Sequence, residues 1–250
     1  MTMVCLWTTS LLGAGSVRAK LLIPAGSFTP LFGAGKEQTA VGVASFHLDS
    51  HPVTVADFQK FLAAQPQWLH SEKTSGQTDE AARAFWSNRE GLLAKADQPA
   101  VRVSWFAAAA YCESMLGRLP TTMEWEYVAI ADERTRDAAL DPAFNAKILA
   151  WYATPNGREE LSSVYQGAPN AYGLYHIHGL IWEWTDDFNG FFAAIDSRQN
   201  NDKNSDLFCG SGALGAGNRQ DYAAFMRFAL RSSLKARDSL ANLGFRCAYD

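Results

Sequence analysis

Gly117-Arg-Leu-Pro-Thr-Thr-Met-Glu-Trp-Glu-Tyr127 is the stretch on which the fold turns. Gly117 closes a helix that Ser104 caps and that runs to about Leu116. Arg118-Leu-Pro120 is extended, because a residue before proline avoids the α region. Thr121-Thr-Met-Glu124 is a capping box, so a further helix runs from there to about Asp132.

Upstream, Thr54 caps a helix with Asp57 three residues on and Phe58, Phe61 and Leu62 on one face. Two short strands precede it, one from Lys20 to Gly26 and one from Val41 to Leu48. Residues 66–98 are polar and mixed, and read as a surface insertion with one short helix. Downstream, residues 133–170 read as loop with one helix near Pro142 to Leu149. Tyr172 to Trp184 reads as extended and aromatic, and residues 196–221 as an Asn-, Asp- and Gly-rich loop. Phe225 to Leu234 reads as a buried strand and Phe245 to Ala248 as a last one. The sum is an α+β chain. It shows no internal repeat, heptad or linker, so residues 20–250 make one domain.

Composition narrows the function classes. The chain has 250 residues, 48% apolar and 19% charged, enough for a sizeable core. A net charge of −4 and a pI near 5.7 argue against nucleic acid as a partner, which needs a basic face. No apolar run reaches the roughly 18 residues of a spanning helix. Residues 1–19 contain an apolar stretch from Val4 to Ala14, and Val17-Arg-Ala19 places small residues at −3 and −1 of a cleavage site before Lys20. Nothing before Arg18 is basic, so a buried first strand is the competing reading. Taken as a signal peptide, residues 1–19 predict a periplasmic or secreted protein. The four cysteines, Cys5, Cys112, Cys209 and Cys247, include no C-x-x-C pair, which excludes a zinc ribbon.

Three blocks resemble the formylglycine-generating enzyme family, also called the sulfatase-modifying factors. The first is Val101-Arg-Val-Ser-Trp105 through Ala110-Tyr-Cys112 and on to Tyr127. The second is Asn170-Ala-Tyr-Gly-Leu-Tyr175 with Gly179-Leu-Ile-Trp-Glu-Trp-Thr185. The third is Asn242-Leu-Gly-Phe-Arg-Cys-Ala248. His51-Pro-Val-Thr54 is similar to the start of the family's first helix. The resemblance implies a single compact domain of low regular-structure content, related to C-type-lectin-like folds. It implies a disulfide between Cys112 and Cys247, with two buried free thiols as the alternative. Closing that loop is worth up to about 5 kcal/mol in the chain-entropy model. Positions matching a second family disulfide fall at about Ala129 and Phe228, and neither is cysteine.

The family's oxygen-using members bind copper through two cysteines near the C-terminus, since soft thiolates suit Cu(I). Counting back from Cys247 puts those positions at about Asn218 and Ala223, and no cysteine lies between Cys209 and Cys247. Oxidation of sulfatases is therefore the weakest of the functional readings. The resemblance also implies one degraded calcium site from Gly179, Ile181 and Glu183, with His176 standing where the family has Asn or Asp. Calcium prefers hard oxygen ligands, and imidazole is a poor substitute. Glu183 has a second reading, a buried carboxylate paired with an arginine.

Other residues carry open alternatives. His176 and His178, two apart, share a strand face and fit one metal (copper or iron unspecified), or else one packs and the other is exposed. Cys209 heads a Gly-rich loop near the family's cleft, where it is a reactive thiol or a small buried hydrophobe. Arg227, Arg231 and Arg246 lie among aromatics, with Trp182 and Tyr222 as further binding candidates. Such arginines grip an anionic or aromatic ligand, or brace loops. Cys209, Glu183 and Arg231 are the candidates for chemistry. The segments Phe225–Leu234 and His178–Asn189 are most similar to an exported bacterial branch that accompanies copper-dependent nitrite reductases or copper-delivery proteins. That similarity implies an accessory protein that assists maturation of a periplasmic redox protein, with such a protein or a peptide segment as partner. The alternative is a metal-dependent oxidoreductase with a rebuilt site acting on a small molecule such as a siderophore precursor.

Overall fold

The computed structural model describes residues 18–30, 40–70, 74, 76–88, 91, 93–154, 161–189 and 219–250. Four short strands come first: β1 (Lys20–Ile23), β2 (Gly26–Phe28), β3 (Val41–Val43) and β4 (Phe46–Asp49). Helices α1 (Val55–Ala64), α2 (Gln67–His70), α3 (Glu80–Ser87), α4 (Trp105–Ser114), α5 (Thr122–Ala129) and α6 (Pro142–Tyr152) follow. The chain ends with β5 (Trp182–Glu183), α7 (Arg219–Ser233), β6 (Leu243–Gly244) and β7 (Ala248–Tyr249). This is the α+β single domain that the sequence implied.

The caps form where the sequence places them. Thr54, Ser104 and Thr121 each accept a backbone N–H three residues on, and Thr121 with Glu124 completes a reciprocal capping box. The central sheet is antiparallel in the order β1-β4-β7, with Leu21 opposite Leu48 and Leu48 opposite Ala248. The last strand is thus paired to an early one. Two cores flank it. One joins α1 and α4 through Phe58, Tyr111, Trp184 and Phe245. The other sets Ile23, Leu48, Trp125, Val128 and Leu174 behind the strands. The Cys112–Cys247 disulfide, with Cα atoms 5.4 Å apart, fastens α4 to the end of the chain.

Several expectations are corrected. The segment from Phe225 is helical to Ser233, as part of α7, and Leu234 follows its end. It contains no β-branched residue and no period-2 alternation, and its arginines at 227 and 231 are one helical turn apart. The expected strand from Val41 to Leu48 is two strands with different partners, since β3 pairs with β2 and β4 with β1. Tyr172 to Trp184 is mostly turn, with only Trp182 and Glu183 in a strand. The helix after Thr121 stops at Ala129, and Asp132 caps the next turn by accepting the N–H groups of Arg134 and Thr135. Residues 66–98 are not merely a surface insertion: Trp86 is buried in the main core and its indole N–H donates to the Arg102 carbonyl at 3.1 Å.

Gly117 is required for a different reason than a helix stop. The helix ends at Ser114 and Leu116 takes the left-handed conformation, with φ 58°. A Cβ on Gly117 would meet the Ala248 carbonyl at 2.7 Å and the Tyr249 ring. Arg18 and Ala19, read as the end of a leader, are packed against the domain. Arg18 Nε lies 2.8 Å from Asp49, and the Ala19 carbonyl accepts the Ser50 N–H.

Candidate functional site

The chain concentrates its buried charge between α5 and α7. Glu126, on the inward face of α5, accepts from Arg227 Nε at 2.9 and 3.0 Å and from Arg227 Nη2 at 2.6 Å. Arg231, one turn along α7, donates to the same carboxylate at 2.7 Å. Arg227 Nη1 donates to the Tyr152 hydroxyl at the end of α6 at 3.1 Å. Burial alone would raise the Glu126 pKa. The two guanidiniums overcome that and hold it down at about 2. Burial pushes the Tyr152 hydroxyl up, so it is a neutral partner to Arg227.

Trp125 links this cluster to a second. The Arg231 guanidinium lies 4.7 Å from the Trp125 ring centre. The indole N–H of Trp125 donates to Glu183 at 2.8 Å. Glu183 in turn accepts from Arg246 Nε at 2.9 Å and Nη2 at 2.7 Å. Arg246 is fully buried and also donates to the Tyr175 and Asp49 carbonyls. Its guanidinium therefore ties β5 to the early sheet and the loop before it.

Two cavities lie beside α6, and the first adjoins the cluster. One, of about 790 Å³, runs between α5, α6 and α7. Its inner wall has Glu126, Arg227, Ala129, Ala223 and Phe228. Its mouth has Asp132, Arg134, Asp137 and Asp141. The second, of about 690 Å³, lies on the other side of α6 and is lined by Phe144, Trp151, His176, His178 and Gly179. His178 Nε2 lies 2.8 Å from the Ala129 carbonyl, which can only accept, so Nε2 carries the proton. Its Nδ1 is buried with no hydrogen-bond partner among the described residues. Burial first, and then Arg227, lower the His178 pKa to about 3, so the ring is neutral. His176 is also lowered by burial, sits at φ 55°, and has a buried Nε2 without a hydrogen-bond partner among the described residues.

The sequence candidates fall unevenly on this frame. Arg227 and Arg231 meet on Glu126. Glu183 is held by Arg246 and Trp125, and Ile181 is buried in a small cluster with Val101, Val164 and Leu180. Trp182 stacks on Tyr152 at 4.8 Å and on Trp151 at 5.0 Å. Tyr222 is exposed beside Phe225 and lines neither cavity. His176, His178 and Gly179 line the second cavity, and the segment is a turn, so the two histidines do not share a strand face. Cys209 lies outside the described residues. As a calcium site the set fits poorly, because Arg246 balances the Glu183 carboxylate and His176 offers nitrogen where hard oxygen is wanted. Among the described residues no three of His, Cys, Asp and Glu group to hold a metal. Glu126 and Tyr152 were missed. Glu126 had a signal, since it sits in Trp125-Glu-Tyr127 on the buried side of a helix whose other acid, Glu124, is used in the capping box.

This architecture has known counterparts. The chain is 29% identical to the formylglycine-generating enzyme of Mus musculus over an alignment of 277 residues, which covers 91% of this chain and 74% of that protein. It is 29% identical to the hercynine oxygenase of Mycolicibacterium smegmatis, over 68% of this chain and 46% of that protein. The structure of PvdO from Pseudomonas aeruginosa superposes with a TM-score of 0.50 at 19% identity, covering 92% of this chain and 94% of that one. The pattern of the sulfatase-modifying factor enzyme 1-like domain matches residues 12–250. By that match over nearly its whole length, the chain belongs to the sulfatase-modifying factor enzyme 1-like domain family.

Proposed function

We propose that this chain is a binding member of its family: an exported accessory protein whose cleft holds a partner or ligand in the maturation of a redox protein. On this reading it does not oxidise sulfatases through a copper-thiolate pair. The observation that carries the reading is Ala223. It stands where the count from Cys247 puts a copper-binding cysteine, and it lines the larger cavity. The same helix spends its two inward arginines on Glu126. A methyl group and an arginine–glutamate cluster bind and shape; neither turns over Cu(I). Capture from periplasm with the native protein tests this, and a redox protein or its peptide segment is the expected partner. Recovery of no partner, together with oxidation of a cysteine-containing sulfatase peptide by the copper-loaded protein, would overturn it.

The second reading is a metal-dependent oxidoreductase with a rebuilt site. The bare, buried Nδ1 of His178 and Nε2 of His176 beside one cavity favour it, since a neutral imidazole whose other nitrogen is held by a carbonyl is the usual state of a metal ligand. Near-stoichiometric copper or iron in protein purified without chelator, with oxygen consumed on a phenol or thiol, would decide for it.

A further inference from the structure

We propose that the larger cavity takes a small zwitterion, with its anionic group toward Arg227 on the inner wall and its cationic group toward the aspartates of the mouth. This deepens the binding reading above and rests on it. The inner wall is positive. Two guanidiniums face one carboxylate in the Glu126–Arg227–Arg231 cluster, which leaves one positive charge in excess. Arg227 is 6% exposed. Of the five N–H groups of its guanidinium, three are engaged by Glu126 and Tyr152, and two are left for a ligand among the described residues.

The mouth has the opposite sign. Asp132, Asp137 and Asp141 surround Arg134, the one cation lining the mouth among the described residues, which Asp132 and Asp141 share at 3.4 Å. Among the described residues Asp137 accepts the backbone N–H of Ala139 through one oxygen and nothing through the other. A simple anion would have to pass that acidic rim, and a simple cation would meet the arginine wall. A molecule with both charges, set apart by an apolar body, satisfies both ends. The body has matching walls in Phe28, Ile130, Ile148 and Phe228. The volume, about 790 Å³, is in the range of small-molecule sites.

The probes are 6-aminohexanoate, hexanoate and hexylamine, which share one chain and differ only in end charges. None carries a thiol, so equilibrium binding by calorimetry under argon reads the cavity without turnover. The zwitterion should bind at least about tenfold more tightly than either single-charge probe. Arg231→Met leaves the Arg227–Glu126 pair and removes the excess charge. It should weaken 6-aminohexanoate and hexanoate about tenfold and spare hexylamine. Asp137→Asn, at an exposed position, should weaken 6-aminohexanoate and hexylamine severalfold and spare hexanoate. The proposal is overturned if a single-charge probe matches the zwitterion, if none of the three binds, or if Asp137→Asn acts equally on all. Such a failure alongside successful partner capture would leave the accessory reading intact.

Discussion

Replacing Glu126 with glutamine should cost this protein about 3–5 kcal/mol of stability at neutral pH. The carboxylate is buried and lies within 2.7 Å of nitrogen atoms from two arginines. With charge centres about 4 Å apart and an effective dielectric near 20, each pair is worth about 4 kcal/mol before the carboxylate's own desolvation is subtracted. Removing one partner from a buried charge cluster typically costs 3–5 kcal/mol, because the remaining charges lose their counterion. A second route gives a similar figure. Glu126 is depressed from an ordinary 4.5 to about 2, which corresponds to about 3 kcal/mol of linkage. The sign follows from the direction. A depressed carboxylate stabilises above its unfolded pKa, and that contribution is lost as pH falls from about 5 to about 2. Urea unfolding at a series of pH values reads both effects, and in a domain of this size the melting temperature should fall by roughly 10 °C. The gap between wild type and Glu126→Gln should then narrow below pH 5. A loss under about 1 kcal/mol, or a gap that stays constant down to pH 2, would refute the reasoning.

Cys112→Ala with Cys247→Ala should cost about 2–5 kcal/mol, read by urea unfolding, and reduction of the wild type should reproduce most of it. His178, lowered to about 3, binds no proton in the folded state until well below the unfolded value of 6.5, so wild type should lose stability as pH falls through that window. His178→Asn should flatten this part of the profile at the cost of a weaker bond to Ala129. Gly117→Ala should destabilise by about 2 kcal/mol or more, since the added methyl meets the Ala248 carbonyl and the Tyr249 ring; a melting temperature equal to wild type would contradict that geometry.

What was legible in the sequence was what local chemistry dictates. Thr54, Ser104 and Thr121 announce helix starts because a hydroxyl satisfies a nearby N–H, a contact three residues long. The family blocks supplied the Cys112–Cys247 pairing, 135 residues apart, which no local signal carries. The failures have a common cause. Phe225–Leu234 looks like a buried strand because apolar residues crowd both of its faces. The helix is stabilised by Glu126, a residue a hundred positions away, drawing Arg227 and Arg231 to one side. For Glu183 the sequence leaves ligand and ion pair both open, and placing Arg246 against it decides for the ion pair. Charges that neutralise each other across the fold are indistinguishable, in sequence, from charges that await a ligand.

The closing strand has a consequence for how the protein is made. The last eight residues contribute a strand paired to β4, a cysteine bonded to α4, and the arginine that neutralises Glu183. Asp49 accepts the Cys247 N–H and the Tyr249 hydroxyl, so even the first sheet is incomplete without them. At roughly 5–20 residues per second, Cys112 is made about 7–27 s before Cys247, the partner 135 residues downstream. During that interval Phe58 of α1 and Tyr111 of α4 lack the Phe245 ring that packs against both. A chain cut before Arg246 would lose the bond to Cys112, the pairing with β4 and the counterion of Glu183 together.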